Sequence, residues 1–199
     1  FAENVVSYLG QSVFAVVAED IKTARNAIEL ADIKYEELPA VITIDQALET
    51  GNVLGPPAVI ECGKVDQALA KSKNKLEGKI ILGGQEHFYL EGQAAFAVAG
   101  EDTDIVVHCS TQHPTEIQHK VAMALGLSSH DVTVITRRMG GGFGGKESQG
   151  NLPAIVAALA AKLTGRPAKL IYDRDDDFIL TGKRHDFQIS YKVGFEDNG

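Results

Sequence analysis

Residues 140–147 read Gly-Gly-Gly-Phe-Gly-Gly-Lys-Glu, with five glycines and one aromatic in six consecutive positions. So many glycines leave backbone amides uncovered and permit positive φ, so the chain can approach a ligand closely and aim N–H groups at oxygen atoms. That is the chemistry of an oxyanion or cofactor cradle, the alternative being a glycine-rich connection with only packing demands. Gly140, Gly142 and Gly145 also match the dinucleotide-binding pattern. That pattern asks for an acid about 20 positions further on to hold a ribose; here that neighbourhood is Thr164-Gly165-Arg166 and the first acid is Asp173. A second candidate is Ser110-Thr111-Gln112-His113-Pro114, at the carboxyl end of one predicted strand and opening a helix, where ligands of open α/β sheets collect. Gln112 can donate and accept there; the alternative is a helix cap made by Ser110 or Thr111 with Gln112 merely exposed. In Gly83-Gly84-Gln85-Glu86-His87-Phe88-Tyr89-Leu90-Glu91 a metal site would need His87 and the acids to converge, which adjacent strand positions do not favour. Asp173-Arg174-Asp175-Asp176-Asp177 lacks the glycine and bidentate acid of a calcium loop, and reads as a solvated turn.

The elements that would position these residues follow from periodicity. Val5 to Ala18, rich in Val, Phe and Tyr and broken by Gly10, predicts two strands. Ile21, Ala24, Ala27, Ile28 and Ala31 keep to one helical face behind a capping Asp20, and a strand at Ile33 to Glu37 returns along that helix. Between Thr50 and Glu77, Gly51, Gly55, Pro56, Pro57 and Gly63, then a lysine-rich segment, read as a surface connection. Strands are predicted at Lys79 to Leu82, Ala94 to Ala99 and Ile105 to Cys109, then a helix from Pro114 to a left-handed stop at Gly126. A strand at Asp131 to Thr136, the glycine cluster, an apolar helix at Leu152 to Leu163 and a strand at Ala168 to Tyr172 complete the pattern. This order implies a mixed or parallel sheet with flanking helices, an α+β or α/β architecture.

With 199 residues, 44% apolar and a formal charge of −8, the chain is long enough for a substantial core and lacks the clustered cations of a nucleic-acid or anionic-membrane surface. Leu152 to Leu163 falls short of the roughly 20 residues of a membrane span. Cys62 and Cys109 show no metal-ligand spacing, and no disulfide framework is supported, so a reducing, cytoplasmic setting is expected. Phe1-Ala2-Glu3-Asn4 has neither a starting Met nor a signal-like pattern, and the chain reads as a piece of a longer polypeptide.

Taken together, Ala15-Val16-Val17-Ala18 to Tyr35-Glu36-Glu37-Leu38-Pro39-Ala40, the segment Gly83 to Glu91, Ser110-Thr111-Gln112, Arg138-Met139 with the glycine cluster through Glu147, Thr164-Gly165-Arg166-Pro167 and Asp173-Arg174-Asp175 resemble the molybdenum hydroxylases, the xanthine dehydrogenase and aldehyde oxidase family. The resemblance implies part of an α/β-hammerhead domain over residues 1–50, a linker over 51–77, and the first part of a molybdopterin-binding domain over 78–199. It implies a molybdenum–molybdopterin cofactor, with Gln112 hydrogen-bonding a terminal ligand of the metal and the Gly142-Phe143 backbone facing it, and no side chain ligating the metal directly. By the same resemblance Glu147 holds a purine where aldehyde oxidases tend to carry an apolar residue. The implied reaction is hydroxylation of hypoxanthine or xanthine with water-derived oxygen. Electrons would leave through iron–sulfur clusters and FAD on other domains or subunits of an intact enzyme expected to be a homo-oligomer. The family's general base is expected beyond Gly199, so the polypeptide alone is expected to be inactive. An aldehyde oxidase-type enzyme and a noncatalytic dinucleotide-binding or scaffold module are the alternatives.

Overall fold

The computed structural model describes residues 1–199. In chain order the elements are α1 (Ile21–Ile28), α2 (Ile44–Thr50), α3 (Val65–Lys71), β1 (Asn74–Leu82), β2 (Ala94–Ala99), β3 (Ile105–Cys109), α4 (Pro114–Leu125), a 3-10 turn (Ser129–Asp131), β4 (Val132–Ile135), α5 (Asn151–Thr164), β5 (Ala168–Ile171), α6 (Arg174–Leu180) and β6 (Phe187–Phe195). They divide between two compact units, one formed by Phe1–Ile33 with Glu86–Lys183 and the other by Lys34–Gln85 with Arg184–Gly199. No helix is long and apolar enough to cross a membrane.

The first unit is organised by a four-stranded mixed sheet of order β4-β3-β2-β5. β3 and β4 run parallel, joined by α4, while β2 lies antiparallel to β3 and β5. One face of the sheet, with Ala95, Ala97, Ile105, Val107, Cys109 and Val132, joins Ile117 and Val121 of α4 and Ala154, Ala157, Ala158 and Ala161 of α5 in a single core. The alanines of α5 recur at i, i+3, i+4 and i+7, so a helix with almost no side-chain bulk on that face lies close against the strands. Pro114 opens α4, and Gly126 and Gly165 end α4 and α5 at φ +66 and +64, as their places in the sequence predict.

Two expectations are corrected. Val5 to Ala18 and Ile33 to Glu37 form no strands, because β propensity is realised only where a neighbour completes the hydrogen-bond ladder, and neither sheet includes them. Their apolar side chains, Val5, Tyr8, Val17 and Tyr35 among them, are exposed; α1, capped by Asp20 Oδ1 on the Thr23 amide at 2.8 Å, is retained. The acid cluster at Asp173 is not a turn but the capped start of α6. Asp173 and Asp176 form a reciprocal capping box, and acids in a first turn oppose the helix dipole favourably. Residues 51–77, expected as a connection, include α3 and the first residues of β1.

In the second unit β1 and β6 pair antiparallel from Asn74↔Phe195 to Leu82↔Phe187. Phe187, Ile189, Tyr191, Val193 and Phe195 alternate with period 2 along β6, and all but Tyr191 are exposed. A Cβ at Gly78 would lie 2.6 Å from Tyr191 Oη, so the tyrosine ring lies over the glycine gap.

Candidate functional site

The site lies where β3 ends. β4 and α5 are joined by the glycine loop, and that loop is tied to the strand end by hydrogen bonds to the main chain: Gln112 N–H donates to Lys146 O at 2.8 Å and Thr111 Oγ1 to the same oxygen at 3.0 Å. The Gln112 side chain then folds onto the loop. Its Oε1 accepts from the amides of Gly144 at 2.9 Å and Lys146 at 3.3 Å. Only the oxygen of a carboxamide can accept two N–H groups, so these partners leave Nε2 as a donor without a partner in the chain. The expectation that Ser110 or Thr111 caps α4 is not met: no side chain caps that helix. Thr111 Oγ1 instead accepts from the His113 amide at 3.0 Å, and the Ser110 hydroxyl donates to Glu91 Oε2 at 2.7 Å.

The structure brings Gln112, Gly142 and Phe143 together. A Cβ built on buried Gly142 would fall 2.5 Å from Gln112 Oε1 and 2.7 Å from its Cδ, so the carboxamide occupies the space a side chain would need. Phe143 has φ +54 and is 74% exposed. A phenylalanine in the left-handed region is strained by roughly 1–3 kcal/mol, and such strain concentrates at functional sites. The amides of Gly141, Gly142 and Phe143 find no acceptor within the chain. Glu147 follows on the same loop and is exposed.

Beneath the loop lies a polar support that spacing alone does not reveal. Lys146, 0% exposed, places Nζ 3.1 Å from Glu91 Oε2 and 2.9 Å from Ser110 Oγ, and 4.7 Å from the centre of the Tyr89 ring. Partial burial opposes ionisation of Glu91, but the Gly140 amide at 2.8 Å, the Ser110 hydroxyl and the Lys146 ammonium outweigh it and hold the carboxyl below the usual carboxylate range. Buried Gln93 donates through Nε2 to Gly145 O at 2.9 Å and to Tyr89 Oη at 2.8 Å. Tyr89 Oη in turn donates to buried Asp177 Oδ1 at 2.7 Å. Burial, with the Asp177 carboxylate as acceptor, pushes the Tyr89 hydroxyl up to about 12. Glu86 Oε2 pairs with Lys183 Nζ at 2.8 Å, and Glu86 Oε1 accepts from the amides of His87 and Phe88, which commits this carboxylate to structure.

A group presenting oxo or sulfido ligands fits this arrangement on the chemistry of its donors: one carboxamide N–H₂ and three uncommitted amides. Residues 48–199 match the family model of the molybdopterin cofactor-binding domain, and residues 1–39 that of the a/b hammerhead domain of aldehyde oxidase and xanthine dehydrogenase. The chain is similar to a xanthine dehydrogenase of Drosophila pseudoobscura pseudoobscura, 44% identical over 201 residues, and to an aldehyde oxidase 4 of Cavia porcellus, 42% identical over 201 residues. In both cases 100% of this chain and 15% of the relative are covered, so the chain spans about 15% of the length of these relatives. The crystal structure of quinoline 2-oxidoreductase from Pseudomonas putida 86 matches 90% of this chain and 24% of its own, with a TM-score of 0.78 and 25% identity. The chain belongs to the aldehyde oxidase and xanthine dehydrogenase family, with residues 48–199 falling in its molybdopterin cofactor-binding domain.

Proposed function

We propose that the chain forms part of the cofactor and substrate wall of a molybdenum oxidoreductase that hydroxylates purines. Residues 1–50 act as part of the hammerhead domain, 51–77 as the connection, and 78–199 as the opening of the molybdopterin domain. The observation that carries the proposal is how Gln112 is held: with Oε1 accepting from the Gly144 and Lys146 amides, its Nε2–H₂ is left as a donor without a partner in the chain. In this proposal Nε2 would donate to an oxygen or sulfur atom carried by the metal, and the backbone of Gly142 and Phe143 would face the same group. A molybdenum–pterin group bound there would supply the two-electron oxidation of a heterocycle carbon, with water as the oxygen source. Glu147 hydrogen-bonds the ring and steadies the charge that develops on it. The iron–sulfur clusters and FAD reside on other domains or subunits, the intact enzyme is a cytoplasmic homo-oligomer, and the 199 residues alone do not turn over.

Overall identity does not choose the substrate, since a xanthine dehydrogenase and an aldehyde oxidase match almost equally well. Glu147 supports the purine reading, because a carboxylate pairs with the N–H groups of a purine and has no partner on a simple aldehyde. The test is Glu147→Ala in the intact enzyme. A hydrogen bond to a charged group is worth about 1.5–3 kcal/mol, so kcat/KM for xanthine should fall roughly 10- to 150-fold, with unchanged folding and little effect on an aryl aldehyde. Unimpaired xanthine turnover would overturn the purine assignment, and a wild-type preference for aldehydes would favour the aldehyde oxidase alternative.

A further inference from the structure

Lys146 is a lysine without exposed side-chain surface. Removing an ammonium from water costs several kcal/mol unless partners replace it, and a Met in the same space would avoid that cost. The partners are matched to its three protons: Glu91 Oε2, Ser110 Oγ and the face of Tyr89. The same Glu91 oxygen also accepts from the Gly140 amide. The first amide of the glycine loop and the side chain at its far end therefore meet on one carboxylate oxygen, and the loop between them is closed on itself. Inside that closure lie the Gly144 and Lys146 amides that hold Gln112 Oε1, while Lys146 O holds the Gln112 amide. The strut from Gln93 reaches the loop only at Gly145 O and does not touch Gly144.

We infer that Lys146 and Glu91 are a positioning pair: by closing the glycine loop they fix the Gly144 and Lys146 amides and so set the direction in which the Gln112 carboxamide nitrogen points. What that nitrogen meets rests on the function proposed above; how it is aimed does not.

The test is amide hydrogen exchange of the intact enzyme, read residue by residue by mass spectrometry, comparing the parent with Glu91→Gln and with Glu91→Gln/Lys146→Met. The single variant leaves a buried ammonium with a weakened partner and can unfold; the double variant removes both charges and keeps the loop readable. Gly140 and Gly144 should exchange at least about ten-fold faster in the double variant, the loop opening without the sheet. Ala97 and Val107 in the sheet should exchange as in the parent. Release of Gly140 alone, or parent-like protection of Gly144 in the double variant, would overturn the inference. The molybdenum assignment fails separately. If Gln112→Ala in the intact enzyme keeps full metal content and turnover while Gly144 is still released by the double variant, the positioning pair stands and the assignment falls.

Discussion

Gly142→Ala is the sharpest probe of the site, because its expected effect depends on one neighbouring side chain. Gly142 is not among the glycines with positive φ, so alanine meets no backbone objection there. Its Cβ would instead lie 2.5, 2.7 and 2.9 Å from Oε1, Cδ and Cγ of Gln112. Gln112 is exposed and can swing away, but in doing so it gives up the bonds from the Gly144 and Lys146 amides. At about 0.5–1.5 kcal/mol per hydrogen bond, the loss is about 1–3 kcal/mol, or roughly 2–12 °C in melting temperature for a chain of this size. Urea unfolding of a double-mutant cycle isolates the cause. In a Gln112→Ala background both the clash and the two bonds are already gone, so Gly142→Ala should then cost less than about 0.5 kcal/mol. Equal costs in the two backgrounds would refute the claim that the carboxamide fills the space above Gly142.

Three further outcomes follow from the network beneath the loop. Tyr89→Phe removes the hydroxyl that donates to Asp177 and accepts from Gln93, all three groups being buried; it should cost about 1–3 kcal/mol in urea unfolding, and a smaller change would show that Thr181 and the Gln93 amide already satisfy Asp177. Glu91 has a depressed folded-state pKa, so its stabilisation is present above the ordinary carboxylate value and is lost as pH falls through the folded value; the stability gap between parent and Glu91→Gln should therefore shrink steadily below about pH 4.5, and a pH-independent gap would contradict the ion pair. Burial pushes the Cys109 thiol up to about 12, whereas Cys62 is exposed; iodoacetamide at pH 8 should label Cys62 in the folded chain and reach Cys109 only after denaturation, as peptide mass mapping would show.

The four-stranded unit was legible in the sequence because its signals are local. β3 at Ile105–Cys109, the Pro114 start and Gly126 stop of α4, and the alanine stripe of α5 each depend on neighbours within one or two turns. What was misread depends on partners far along the chain. The Val-rich segments at 5–18 have strand propensity but no ladder to join, and β6, whose alternation is plain once sought, pairs with a strand more than 100 positions earlier. The capping box of α6 was present in Asp173 and Asp176, but the run of acids masked it as a solvated turn. At the site, Gln112 and the glycine loop could be picked out as candidates by type and place, whereas the Lys146–Glu91 pair, 55 positions apart, has no spacing signature.

The five glycines of the loop show how much a composition argument leaves unsaid. Conformational freedom accounts for only two of them: Gly141 and Gly144 sit at φ +96 and +87, and nothing lies within 4 Å of a Cβ at Gly144. The other three are required by what stands next to them. A Cβ would fall 2.6 Å from Glu91 Cβ at Gly140, 2.5 Å from Gln112 Oε1 at Gly142, and 2.7 Å from the His87 and Tyr89 rings at Gly145. Those neighbours all belong to the support and the carboxamide, so the missing side chains let the loop press against Glu91, Tyr89 and Gln112 on one side while Phe143 is held outward at positive φ on the other. A loop that needed only flexibility would tolerate alanine at Gly140, Gly142 and Gly145. One that must seat a carboxamide and a buried ion pair at fixed distances would not, and substitution at these three positions, more than at Gly144, should be felt at Gln112.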